Sequence, residues 1–105
     1  LIFDEVDAAI GGATATAVGE RLARLASDGC QVLTVTHSPQ VASFGAHHFR
    51  VRKAEVETGK VLTSVDKLTD AERREEIARM LAGSRVTDAS RAAADELLKN
   101  RTTDE

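Results

Sequence analysis

The residue types best suited to chemistry stand at the start of the chain, in the string Leu-Ile-Phe-Asp-Glu-Val-Asp. Three apolar residues, Leu1, Ile2 and Phe3, run straight into Asp4 and Glu5, and Asp7 follows. Ionised carboxylates beside an apolar core are costly unless something pairs with them. At the C-terminal edge of a parallel sheet, a metal ion on a phosphate ligand does so. If the strand continues through Asp4 and Glu5, they point to opposite faces and form no symmetric dyad. One can hold a metal while the other faces an attacking water, the division of labour that phosphoryl transfer needs. The plainer alternative is a strand that ends in two solvated acids. His37 ends a second apolar run, residues 31–36. An imidazole there can hydrogen-bond a γ-phosphate or hold the attacking water. Alone it reads as a hydrogen-bonded surface histidine; together with the carboxylates it favours a nucleotide-hydrolysis site.

These positions depend on the elements that carry them. Residues 1–4 read as a short buried strand, followed by a loop in which Gly11-Gly12 supplies backbone freedom. From residue 13 to about 27 the pattern is helical, with Ala17, Val18, Leu22, Leu25 and Ala26 at spacings of three and four. Gly29 fits a left-handed end. Residues 31–36, a near-continuous apolar and β-branched run, predict a strand covered on both faces. A strand, a helix and a strand make a βαβ unit with parallel strands and a right-handed crossover. Asp4 and His37 then lie at the C-terminal strand ends, where open α/β sheets bind ligands.

Ser38 and Pro39 start a short helix reaching about Phe44. Residues 47–53 and 60–66 predict an antiparallel hairpin around a turn at 57–59, forming the edge of the sheet with one solvated face. Thr69 and Glu72 have the spacing of a capping box. The helix after them buries Ile77, Met80 and Leu81 and ends at Gly83. A last helix begins at Thr87 or Asp88 and buries Ala89, Ala92, Ala93, Leu97 and Leu98, with residues 100–105 frayed. A composition shift near Leu68 separates a sheet part, 1–67, from a helical tail, 68–100.

Composition narrows the classes. At 105 residues and 42% hydrophobic, the chain builds one small core, and aliphatic residues must fill it because it has only three Phe and no Trp or Tyr. The net charge of −3 argues against a nucleic-acid clamp within this segment itself. No stretch approaches a membrane span, and the first residues do not read as a signal peptide. Cys30 has no intramolecular partner, which suits a reducing compartment, and reads as an inert, partly buried thiol. His47-His48 does not read as a zinc site, because neighbours on a strand face opposite ways and no further ligand lies at the right spacing. Arg50, Arg52 and Lys53 read as a solvated hairpin face rather than a DNA contact. Residues 72–76, Glu-Arg-Arg-Glu-Glu, read as an exposed helix face of mixed charge.

The motifs also carry a resemblance. Residues 1–7 resemble the Walker B segment of ABC-type ATPases, and Asp-Glu-Val-Asp-Ala-Ala that of their SMC branch. Leu-Thr-Val-Thr-His at 33–37 resembles the strand and switch histidine of the same domains. The longer strings at 4–22 and 32–51, Glu-Ile-Ala-Arg-Met-Leu-Ala-Gly at 76–83, and a final helix ending Glu-Leu-Leu are similar to the C-terminal part of the RecN family of bacterial DNA repair proteins. Ile10-Gly11-Gly12 stands where SMC proteins usually carry Leu-Asp, which fits RecN.

The resemblance covers nearly the whole chain. It implies an α/β fold, the C-terminal lobe of a P-loop ATPase head of the ABC/SMC type: a βαβ unit, a β-hairpin and two C-terminal helices. Asp4 would hold Mg²⁺, largely through water, and Glu5 would be the general base. Asp7, with residues 8–12, would form the nucleotide-contacting D-loop at a head-to-head homodimer interface, and His37 would sense the γ-phosphate. ATP and Mg²⁺ as cofactors, DNA as partner of the full-length protein, recombinational repair of double-strand breaks, and a cytoplasmic, nucleoid-associated location follow from the same resemblance.

The departures are clear. The G-x-x-x-x-G-K-[ST] phosphate loop, the signature segment and the coiled coil are not in this sequence. The segment alone is therefore expected to be inactive and, with its first strand at an open edge, prone to self-association. A start inside a strand, without Met, suggests a piece of a longer polypeptide. Two alternatives remain at this level. Another ABC-type or SMC-like ATPase is one, though the helical tail and the lack of Pro after Asp4-Glu5 weigh against a transporter. The other is an interaction module that keeps the fold without the activity, disfavoured by the retention of Asp4, Glu5 and His37.

Overall fold

A computed structural model describes residues 1–5, 10–83 and 85–100. Strand β1 (Ile2–Asp4) pairs in parallel with β2 (Leu33–Val35), in the register Ile2↔Leu33, Phe3↔Thr34, Asp4↔Val35. Helix α1 (Gly12–Ser27) connects them, so the predicted parallel βαβ unit is present. Both strands are shorter and more open than predicted. Phe3 and Thr34, register partners on one face, are half-buried, whereas Ile2 is 75% and Leu33 54% exposed. The expectations of a buried first strand and a second strand covered on both faces therefore fail among the described residues. The physical reason is that alternate residues face opposite ways and only one face of this two-stranded sheet meets other residues.

Helix α1 turns a different stripe inward than its aliphatic spacing predicts. Ala15 and Gly19 are buried and Val18 and Leu22 half-buried, while Ala17, Leu25 and Ala26 are exposed. Phe44 decides this. Its ring lies so close over Gly19 that an added Cβ would sit within 3.0 Å of Cε2 and 3.2 Å of Cγ. Small residues win that face because they admit the ring. Phe44 follows α2 (Pro39–Ala42), which starts as predicted: Ser38 Oγ accepts from the Val41 amide at 3.3 Å and Pro39 opens the helix.

Strands β3 (Phe49–Glu57) and β4 (Lys60–Lys67) form the predicted antiparallel hairpin, turning at Gly59 with φ 82°. They make a sheet of their own, not the edge of the first. Beyond β2 the chain passes through α2, and β3 begins beside α3 (Asp70–Ala82), with Arg50 Nη1 4.0 Å from Glu76. Register partners share a face, so Arg50 and Asp66 look one way and Val51 and Val65, each 61% exposed, look the other.

The capping box of α3 forms as predicted: Glu72 N donates to Thr69 Oγ1 at 3.2 Å and Thr69 N to Glu72 Oε1 at 2.9 Å. The helix stops at Gly83, φ 85°. Helix α4 (Asp88–Asn100) packs against it, and Ile77, Ala78 and Ala94 form a fully buried centre flanked by Ala42, Met80, Leu81, Val86, Leu97 and Leu98. Ala89, Ala92 and Ala93, predicted as core, are exposed; Ser90 and Ala94 are buried instead. Reciprocal bonds set this rotation, since Thr87 N donates to Ser90 Oγ at 2.8 Å and Ser90 N to Thr87 Oγ1 at 3.1 Å. Ser90 is thereby turned inward, and Ala94, Leu97 and Leu98 follow at helical spacing. No helix among the described residues is long and apolar enough to cross a membrane.

Candidate functional site

The parallel ladder continues one step past β1, where Glu5 N donates to the Val35 carbonyl at 2.7 Å. There the backbone leaves the strand: Glu5 adopts φ 51°, a left-handed conformation uncommon for a residue with a side chain. The alternation expected of a continuing strand therefore stops at Asp4. Across the ladder, His37 follows β2 by two residues, and Ser38 N donates to Thr36 Oγ1 at 2.9 Å where the chain bends into α2. These two turns bring His37 Nε2 to 2.9 Å from Glu5 Oε1. Both side chains are exposed, at 91% and 47%. Exposed pairings of this kind add little stability, so the consequence is geometric: the backbone turns place a carboxylate beside an imidazole at the strand ends.

Asp4 is exposed at the last position of β1, opposite Val35. Asp7 lies outside the described residues, with residues 6, 8 and 9 of its loop. Asp4, Glu5 and His37 are thus placed on one edge, and the closest approach is between the last two. Among the described residues no group of three or more His, Cys, Asp or Glu is arranged to hold a metal. His47 is exposed and His48 half-buried. Cys30 is exposed, not partly buried, because it stands at the open end of α1 after Gly29, φ 93°.

Residues 72–76 depart most from expectation. Glu72 and Glu75 are exposed as expected and Arg74 is half-buried, but Arg73 is 4% and Glu76 7% exposed, so the solvated face does not extend to these two. Arg73 Nη2 donates to the carbonyls of Ala42, at 2.9 Å, Ser43, at 3.1 Å, and Gly45. Glu76 accepts from Arg79 Nε at 3.0 Å. The available signal for Arg73 was its place four residues before Ile77, on the same helix face; Glu76, one residue before Ile77, offered no such signal. Arg50 is half-buried beside Glu76, whereas Arg52 and Lys53 remain exposed, Arg52 3.3 Å from Asp66.

This cluster sets a pH dependence. Burial lowers the His48 pKa, Arg73 and Arg50 push the same way, and Glu76 opposes them. The hydrogen bond from Arg79 lowers the Glu76 pKa, helped by the nearby charges of Arg79, Arg50 and His48 and opposed by burial. In both cases the unfolded chain binds protons more readily than the folded one, so stability rises with pH. The His48 contribution is complete above its ordinary 6.5 and declines as pH falls below it. The Glu76 contribution is complete above 4.5 and is lost as pH falls through its depressed folded value. Urea midpoints are expected to be lower at pH 5.5 than at 7.5, and His48→Gln is expected to flatten that difference. A midpoint that rises on acidification would contradict the assignment.

The described residues define a mixed α/β segment in which a parallel βαβ unit sets a carboxylate against a histidine at neighbouring strand ends. No family model matches the chain. It is similar to the DNA repair protein RecN of Deinococcus radiodurans, 53% identical over 98 residues, which cover 93% of this chain and 17% of that protein. The RecN proteins of Haemophilus influenzae and Vibrio cholerae are 50% and 48% identical over the same proportions. The chain matches a segment of these RecN proteins and spans 17% of their length. The matches bear out the resemblance carried by its motifs.

Proposed function

We propose that this chain is the part of a RecN-type ATPase head that supplies the Walker B carboxylates and switch histidine for Mg-ATP hydrolysis. The whole protein, in this reading, acts in recombinational repair of double-strand breaks on DNA, in the cytoplasm at the nucleoid. The observation that carries the reading is the Glu5–His37 contact of 2.9 Å at the ends of two parallel strands. Glu5 takes or orients the proton of the attacking water, and His37 holds Glu5 on one side and faces the γ-phosphate on the other. Asp4 fits Mg²⁺, which takes hard oxygen donors and is satisfied by one or two carboxylates with waters and phosphate oxygens for the rest. Mg²⁺ held by Asp4 would supply neutralisation of the charge developing on the phosphate. Asp7 and its loop meet a second head in a homodimer.

The segment is inactive alone in this reading, because a phosphate loop provides most contacts to a triphosphate. The sheet part, 1–67, carries the site and the tail, 68–100, braces it. The test is ATP turnover by a full-length protein containing this segment, titrated with Mg²⁺. Asp4→Asn is expected to raise the half-saturating Mg²⁺ concentration by about 10–100-fold, the range for loss of an outer-shell metal partner. A parent protein without ATP turnover, or an unchanged Mg²⁺ requirement, would overturn the proposal.

A further inference from the structure

We infer that Arg73 is a positioning residue for His37, acting through α2. The inference rests on reading His37 as part of the hydrolytic site. Helix α2 has four residues, Pro39–Ala42, too few to hold itself together. It starts at Ser38, next to His37, where Ser38 Oγ caps Val41 N. At its other end the Ala42 carbonyl accepts from the Gly45 amide at 3.2 Å and keeps a second lone pair for another donor. Arg73, arriving from α3, meets the carbonyls of Ala42 and Ser43 and, beyond them, of Gly45. The negative end of a helix also favours a cation.

A buried guanidinium is costly unless its hydrogen bonds are made. An apolar side chain would fill the space more cheaply, so what Arg73 contributes is a fixed position for the end of α2. His37 sits at the opposite end, largely exposed. Its distance from Glu5 therefore depends on where α2 is docked. Buried Val41 and Ser43, and Phe44 against Gly19, seat α2 along its length, and Arg73 closes it from the helical tail. Lysine, a compact point charge, lacks the planar fork and is a partial substitute.

The experiment is a double-mutant cycle on ATP turnover in a full-length protein containing this segment: Arg73→Ala, His37→Ala and both together, with Arg73→Lys beside them. Arg73→Ala is expected to lower kcat by about tenfold, since displacements of an ångström in a site cost up to about a hundredfold. Nucleotide affinity is expected to stay within about threefold. On the His37→Ala background the same change should cost less than about twofold, because its route to the chemistry is already gone. Arg73→Lys should recover part of kcat. An equal cost with and without His37, or an unchanged kcat, would overturn the inference while leaving the site reading intact. Unchanged turnover in His37→Ala would remove both. If Arg73→Ala melts below the assay temperature, Arg73→Lys on the two backgrounds gives the same comparison.

Discussion

Glu5→Gln in a full-length protein is expected to leave nucleotide binding near the parental value and to lower turnover by about 10²–10⁴-fold, the range for loss of a general base. The substitution keeps shape and removes charge. Glutamine can occupy the same left-handed backbone position, φ 51°, and its amide can still meet His37 Nε2 across the 2.9 Å contact. What it cannot do is take a proton. Asp4, not Glu5, is assigned to Mg²⁺, so the metal and the nucleotide should stay. A fall in kcat at constant affinity is the pattern of an interaction made only in the transition state. Comparison with Glu5→Ala separates the two roles, since alanine loses both the proton acceptor and the contact with His37 whereas glutamine loses only the first. Turnover unchanged in Glu5→Gln would remove Glu5 from the mechanism and leave its contact with His37 a surface pairing.

The parts legible from sequence were those set by local chemistry. Ser38-Pro39, Thr69 with Glu72, and Gly83 mark helix ends through hydrogen bonds or backbone freedom within a few residues, and all three marks hold. Parallel pairing of β1 and β2 followed from the βαβ pattern, and it brought the strand ends carrying Asp4 and His37 together. The left-handed turn at Glu5 was not legible, because glutamate carries no local preference for it. The buried faces of α1 and α4 were misjudged for another reason. Both helices offer alanine on several sides, so hydrophobic spacing cannot choose among them. A distant residue chooses in one case, Phe44 on Gly19, and a side-chain bond in the other, Thr87 with Ser90. Arg73 and Glu76 escaped because charge in a helix usually means solvent, and only the carbonyls at the end of α2, some thirty residues earlier, reverse that for Arg73.

Ile77→Ala is expected to cost about 2–5 kcal/mol of local stability, the range for removing a fully buried aliphatic side chain. The site is a demanding one for that loss. Ile77 is 0% exposed and its fully buried neighbours, Ala78 and Ala94, are alanines. Any relaxation must come from the half-buried Met80, Leu81, Leu97 and Leu98 around that centre, and how far they move sets the value within the range. Against the total of about 5–15 kcal/mol typical of a domain, such a loss opens the α3–α4 pair a large part of the time. The measurement is amide hydrogen exchange across α3 and α4 in a full-length protein, with Ile77→Val as the graded control at about 0.5–1.5 kcal/mol. Ala92→Ser, on the exposed face of α4, should stay within about 0.5 kcal/mol. Because α3 also carries Arg73, lost protection should extend to the amides of α2 that follow His37. Protection lost in α3 and α4 but unchanged in α2 would mean that α2 keeps its place without the helical tail. Ile77→Ala within about 0.5 kcal/mol of the parent, the range of a surface change, would mean that the α3–α4 core lies elsewhere.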